Sequence, residues 1–259
     1  MTQPSSTQPG TKTAVVTGGG TGIGRAAALA LAAEGYEVTV VGRTASTLEE
    51  TVKLITAAGG TARTAIADVH DEDAVRRAVE TAAGATGRLD VAVNSAGVDG
   101  GNDSHPFIDY PVQTFDLMLA TNVRGMFFSM KHELAIMAAQ GFGSIVNISS
   151  GAGLTGVPGY AGYVASKFAE IGLTKSAALD YANRNVRVNA VCPGLVNTPL
   201  IADMVTENPQ MRERLVASHP LGRIAEPEEV ADAIVYLATS KSSYVTGIAL
   251  PVDGGYLAA

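Results

Sequence analysis

Cysteine occurs once in the 259 residues, at Cys192, which excludes an intrachain disulfide and any metal site built from several thiolates. Charge is also sparse. Asp, Glu, Lys and Arg make up 17% of the chain, and the net charge is −7. That balance argues against a nucleic-acid partner, because phosphate-backbone binding needs a basic face. No apolar stretch is long enough to span a bilayer. The opening MTQPSSTQPGTK lacks the apolar run of a secretory signal. Linkers rich in Pro, Gly and Ser are missing, and so are internal repeats. We therefore expect a disordered tail over residues 1–11, one domain over 12–259, and a soluble cytoplasmic protein without a metal. Hydrophobic residues, at 46%, suffice for a large core.

Short apolar runs alternate with helical patterns. TAVVT (13–17), EVTVV (37–41), a run near 62–67, LDVAVN (89–94), GSIVNIS (143–149), VRVNAVC (186–192) and a short run near 248–252 read as strands. Between them lie a helix closed by Gly35, one ending near Ala58, and DEDAVRRAVETAAGATG, whose acidic first turn complements the helix dipole. Further helices are expected at 112–139, 160–183 and 227–239. This alternation predicts an α/β fold: a single doubly wound Rossmann domain with about seven parallel strands in the order 3-2-1-4-5-6-7 and helices on both faces. The stretch 195–226, with Pro199, Pro209 and Pro220, breaks the pattern and reads as a substrate loop.

In such sheets ligands bind beyond the carboxyl ends of the strands. The unusual motifs all fall there: TGGGTGIG after strand 1, NSAG after strand 4, Ser149-Ser150 after strand 5 and PGLVNTP after strand 6. In the first, Gly18 allows a tight turn, Gly22 lets backbone approach a pyrophosphate, and Gly24 lets the helix pack on the strand. The helix N-terminus then offers free N–H groups to phosphate. Strand 2 ends in VVGRT, with Arg43 where a carboxylate would select NAD. A guanidinium there pairs with a 2′-phosphate, so NADP(H) is favoured over NAD(H).

Two tyrosines, Tyr160 and Tyr163, open the stretch GYAGYVASK. A tyrosine with a pKa near 10 needs help to exchange protons at neutral pH. Lys167 lies at i+4 from Tyr163, on the same helix face, and its charge favours the phenolate. Tyr160 has no such partner and is read as a pocket wall. Ser150, thirteen residues before Tyr163, can hydrogen-bond a substrate oxygen alongside the phenol.

With these residues in place, the chain resembles the classical short-chain dehydrogenases/reductases over residues 12–257. TGGGTGIG, Asp68-Val69, NSAG, the Asn122 of ATNVRG, NISS, YVASK, CPGLVNTP and LPVDGGY occur in the family's order and spacing. The resemblance implies a catalytic tetrad of Asn122, Ser150, Tyr163 and Lys167. Tyr163 would be the acid/base, Ser150 would hold the substrate oxygen, and Lys167 would bind the nicotinamide ribose. Asn122 would hold a relay water. It also implies that Asp68 meets the adenine, that Asn94 orders the crevice, and that Thr198 and the backbone of Pro193, Gly194 and Val196 contact the nicotinamide end. Gly18, Thr21, Gly22, Ile23 and Gly24, with Val69, Ala96 and Gly97, would complete the cofactor site. Two departures stand out: Ser95 replaces the second Asn of the usual NNAG, and Thr21 stands where NADP-using members often carry a basic residue. A homotetramer paired through the helices at 112–139 and 160–183 is also implied.

The expected function is hydride transfer between NADP(H) and a medium-sized secondary alcohol or ketone. The alternatives are a 3-oxoacyl carrier-protein reductase, a dinucleotide-sensing module on the same fold, and an epimerase or dehydratase. The last typically needs a larger C-terminal substrate domain. Leu195, Leu200 and Met204 on one side, with Leu154 and Tyr160 on the other, are expected to wall the substrate pocket. His219 is expected to be a surface loop residue.

Overall fold

The computed structural model describes residues 10–100, 104–202 and 209–259. Seven parallel strands form one sheet: β1 (Lys12–Thr17), β2 (Tyr36–Gly42), β3 (Thr61–Ile66), β4 (Val91–Asn94), β5 (Gly143–Ile148), β6 (Val186–Pro193) and β7 (Ala249–Val252). Their spatial order is β3-β2-β1-β4-β5-β6-β7, as the alternation predicts. The order reverses beside β1, and this switch opens a crevice between the loops after β1 and β4.

Alternation along the strands builds two cores. In β1, Ala14 and Val16 point to one face and Val15 to the other. The first face is covered by α1 (Gly22–Ala33), α2 (Ala45–Ala57) and the late helix Pro227–Ala238, through Leu31, Leu48 and Ile234. The second is covered by α3 (Glu72–Ala83) and the long helices that follow, through Val79, Met130 and Ala178. Burying each such aliphatic side chain contributes roughly 1.5–3 kcal/mol. Local chemistry sets the helix starts. The Asp71 carboxylate caps α3 by accepting from the N–H groups of Asp73 and Ala74 at 3.0 and 3.1 Å.

The helix expected over 112–139 is continuous but not uniform. α4 (Val112–Met118) passes through a π turn, Leu119–Gly125, into α5 (Met126–Gln140). Such single π turns are often found at functional positions, and this one carries Asn122. After α6 (Ala161–Tyr181), Asn185 takes a left-handed φ of 58° and turns the chain into β6.

The excursion after β6 holds more structure than its sequence suggests. Residues 209–217 form α7 (Pro209–Ala217), which precedes α8 (Pro227–Ala238). The base of the loop is pinned: Asn197 N–H donates to the Ala225 carbonyl at 2.8 Å, and Ala225 N–H donates to the Leu195 carbonyl at 3.0 Å. Glu226 and Glu229 then close a capping box on α8, with Pro227 in its first turn.

Candidate active site

A cavity of about 1030 Å³ runs along the carboxyl ends of the strands, from the β2 end to the excursion after β6. It slightly exceeds the span of about 300–1,000 Å³ usual for small-ligand pockets, which leaves room for a large ligand. The glycine loop forms its floor. Gly18 has φ +67° and passes so close to the β4 loop that a Cβ would lie 2.8 Å from Ala96 N. A Cβ on Gly24 would meet the Gly18 carbonyl oxygen. Thr21 is the N-cap of α1 without a side-chain cap bond, and the first turn has no acid. The leading N–H groups, beside cavity-lining Gly22 and Ile23, are therefore left for an anion.

Two residues that no motif marks hold this loop. Arg25 donates through Nη2 to the Gly20 carbonyl at 2.6 Å and to Glu50 at 2.7 Å. Thr51 donates through Oγ1 to the Gly19 carbonyl at 3.0 Å. Arg43 lines the outer end of the cavity, exposed. Asp68 and Val69 line the same end, and Asp68 Oδ1 accepts from His70 N–H at 3.0 Å. Ala96 and Gly97 line the crevice, whereas Asn94 lies behind it, buried. Its Nδ2 donates to Glu133 and to Asn147, each at 3.0 Å.

Ser150, Tyr163 and Lys167 all line the cavity, and the Ser150 hydroxyl reaches Tyr163. Lys167 Nζ lies 5.5 Å from the Tyr163 ring centre. The sequence pattern predicts a phenol lowered by its lysine, but the balance differs. Burial pushes Tyr163 above its ordinary value, while Lys167 and the Ser150 hydroxyl pull it down by less. Tyr163 is part-buried and lines the cavity, so cleft contents act on this balance. Burial also acts to lower Lys167, but Glu170, with Tyr163 adding to it, outweighs that and leaves the ammonium raised. Ser150 Oγ accepts from Ala152 N–H at 3.1 Å, which leaves its proton free to donate. Asn122 is fully buried. Its Oδ1 accepts from Val98 N–H at 2.9 Å, and its Nδ2 donates to the Val98 carbonyl at 2.8 Å and to Ser166 at 3.0 Å. The side chain thus braces the loop after β4 and does not line the cavity.

The family profile that matches residues 18–257 is described as enoyl-(acyl carrier protein) reductase. Cyclohexanol dehydrogenase of Acinetobacter sp. (strain SE19) is 39% identical over 95% of this chain and 94% of its own length. The chain is a classical short-chain dehydrogenase/reductase. It is therefore an NAD(P)-dependent oxidoreductase acting on CH–OH groups. An A-factor type γ-butyrolactone 1′-reductase (1S-forming) of Streptomyces virginiae is 42% identical, covering 94% of each chain. Among solved structures, a variant of actinorhodin polyketide ketoreductase with NADPH superposes with a TM-score of 0.89 at 34% identity, over 95% of this chain and 97% of that one. The cleft fits a dinucleotide: an uncapped helix N-terminus for the pyrophosphate, glycines where backbone comes close, and sufficient volume.

In this dehydrogenase Tyr160, Leu195 and Leu200 line the cavity, joined by Val157, Ile201 and Leu215. Pro193, Gly194, Val196 and Thr198 line it beside the glycine loop, where a Cβ on Gly22 would come 3.2 Å from Thr198. Leu154 corrects the sequence expectation. It follows the turn Gly151–Gly153, is 37% exposed, and does not line the cavity; Val157 and Pro158 form that wall. Met204 lies outside the described residues. His219 is also a correction, since it is buried rather than a surface residue. Its ring stacks on Tyr256 at 5.1 Å, Nδ1 donates to the Leu215 carbonyl at 2.7 Å, and Nε2 accepts from Leu195 N–H at 3.0 Å. The burial and these partners come from the fold of the excursion, which single-residue reasoning could not supply.

Proposed function

We propose that this dehydrogenase moves a hydride between NADP(H) and a medium-sized, largely apolar secondary alcohol or ketone, with Tyr163 as its acid/base. The observation that carries this is the meeting of Tyr163, Lys167 and Ser150 in the cleft that the glycine loop floors. When bound, the dinucleotide supplies or accepts the hydride. In the reductive direction Tyr163 Oη gives its proton to the carbonyl oxygen, and Ser150 Oγ donates a hydrogen bond to the same oxygen as charge develops on it. Lys167 keeps positive charge beside the phenol and so stabilises the phenolate left when Tyr163 gives up its proton. Asn122, by bracing Val98, holds the loop that faces Lys167 across Gly97, whose added Cβ would lie 3.7 Å from Nζ.

Preference for NADP(H) is supported by Arg43, an exposed guanidinium on the cavity wall with no salt bridge or hydrogen bond among the described residues. The actinorhodin ketoreductase with NADPH supports the same reading. Cyclic substrates are supported by the relative named for cyclohexanol. A second reading, reduction of a 3-oxoacyl group on an acidic carrier, is supported by Arg214, a cation of α7 on the cavity wall.

We also infer a homotetramer. Leu117, Phe127, Phe168 and Leu179, on the α4–α5 and α6 helices, are 46, 48, 49 and 82% exposed, a scale of apolar exposure that a second copy would cover. A cytoplasmic location accords with the described residues, among which no helix is long and apolar enough to cross a membrane.

The test is oxidation of NADPH, and separately NADH, by the purified protein across acyclic, cyclic, steroidal, quinone-like and 3-oxoacyl carbonyl compounds. Turnover with one class, faster with NADPH, is expected. Tyr163→Phe should keep cofactor binding and lose most turnover; an active, pure Phe variant would remove Tyr163 from its role.

A further inference from the structure

Lys167 and Glu170 stand three residues apart on α6, both buried. Lys167 Nζ donates to Glu170 Oε1 at 2.9 Å and to the Ile148 carbonyl oxygen at 3.3 Å. Glu170 Oε2 has no hydrogen-bond partner among the described residues. A carboxylate in this position is costly, because it leaves water and gains one well-formed hydrogen bond, from Lys167, in return. An apolar side chain would pack in the same place without that cost. The Tyr-x-x-x-Lys pattern accounts for the lysine and the phenol, but not for an acid at the lysine's back.

What the acid changes is the electrostatics of the site. A positive charge 5.5 Å from the Tyr163 ring favours the phenolate. A negative charge touching that same ammonium opposes it, and Glu170 accordingly acts to raise Tyr163. We propose that Glu170 is a positioning residue for the acid/base: its buried carboxylate holds the Lys167 ammonium against α6 and offsets its charge, so that Tyr163 keeps its proton. This rests on the reading of Tyr163 as the acid/base given above.

Other groups face this cluster from each packed element. Cys192 of β6 has its thiol pushed up to about 11 by burial, and beyond it lies Asp253 after β7. Ser149 at the end of β5 donates to the Lys167 carbonyl at 3.0 Å, and Asp99 after β4 also raises Tyr163. Burial raises Glu170 to about 7, against the pull of Lys167 and Ser149. Its hold on the phenol therefore strengthens as the carboxyl ionises.

The experiment is a Glu170→Gln variant, which keeps an acceptor for Nζ but removes the charge. Tyrosinate absorbance is titrated for the wild-type and Gln proteins, each subtracted against its own Tyr163→Phe counterpart so that one phenol is read. The rise of kcat/KM with pH for alcohol oxidation is measured in parallel. The titration of Tyr163 should fall by on the order of one pH unit in the Gln protein, with the kinetic rise moving the same way. An unmoved titration overturns the proposal, even where kcat or Tm has dropped. If the Gln protein does not fold, Glu170→Asp pulls the charge back from Nζ and should give a smaller shift in the same direction; no shift again overturns it. A shifted absorbance titration without turnover in either protein would sink the acid/base reading and leave only the effect of Glu170 on the phenol's proton. Turnover with unshifted titration would do the reverse.

Discussion

The imidazole of His219 accepts a hydrogen bond from the backbone N–H of Leu195 at 3.0 Å, joining the end of α7 to the end of β6 across 24 residues. With Nδ1 bonded to the Leu215 carbonyl, both ring nitrogens are used, and the ring cannot be replaced by a shorter polar side chain without leaving an N–H unpaired. The bond ties down the wall that carries Leu195, Leu200 and Leu215.

His219→Ala should therefore loosen the substrate wall and leave the dinucleotide end intact. The expected result is a higher KM for the carbonyl substrate, little change in cofactor affinity, and a loss of about 1–3 kcal/mol in stability from the unpaired N–H. Steady-state kinetics with denaturant unfolding checks this. An unchanged KM and midpoint would show that the other anchors of the excursion, the Ala225 and Leu221 backbone bonds among them, hold it without His219.

Arg43 sits at the other end of the same cavity. If its guanidinium meets a 2′-phosphate, Arg43→Ala should weaken NADPH binding by about 10- to 100-fold, the range of a hydrogen bond to a charged group. NADH binding should change little. Calorimetric titration with both dinucleotides separates the cases, and equal losses for the two would refute selection by Arg43.

Glu133 predicts a pH dependence of stability. The carboxyl is fully buried beneath Asn94, and burial, only partly opposed by the Asn94 hydrogen bond, pushes it up to about 8. The folded state thus binds this proton more tightly than the unfolded chain does. The resulting stability is complete below the ordinary carboxylate range and is lost as pH rises towards about 8. Glu133→Gln mimics the protonated form and should match the wild type near pH 4–5. By about pH 9 it should be the more stable by on the order of a few kcal/mol. Parallel unfolding curves for both proteins would reject this.

The architecture was legible because its signals are local. Apolar runs of strand length, separated by helical periods, define seven strands and their crossovers. Handedness then leaves few ways to order them. The rim on which TGGGTGIG, NSAG, Ser150 and PGLVNTP assemble follows from the same alternation. The substrate walls were less legible. Leu154 and Val157 lie three residues apart, and only the path of the turn Gly151–Gly153 decides which of them reaches the cavity.

The sheet, the glycine loop and the spacing that places Lys167 one turn from Tyr163 follow from the order of residues, since each depends on neighbours along the chain. The tertiary structure alone decided the burial of His219, the closing of Arg25 over the Gly20 carbonyl, and the state of the phenol. Desolvation is set by everything packed around a group. For Tyr163 that burial outweighs the lysine which the spacing supplies, and the Glu170 carboxylate acts in the same direction.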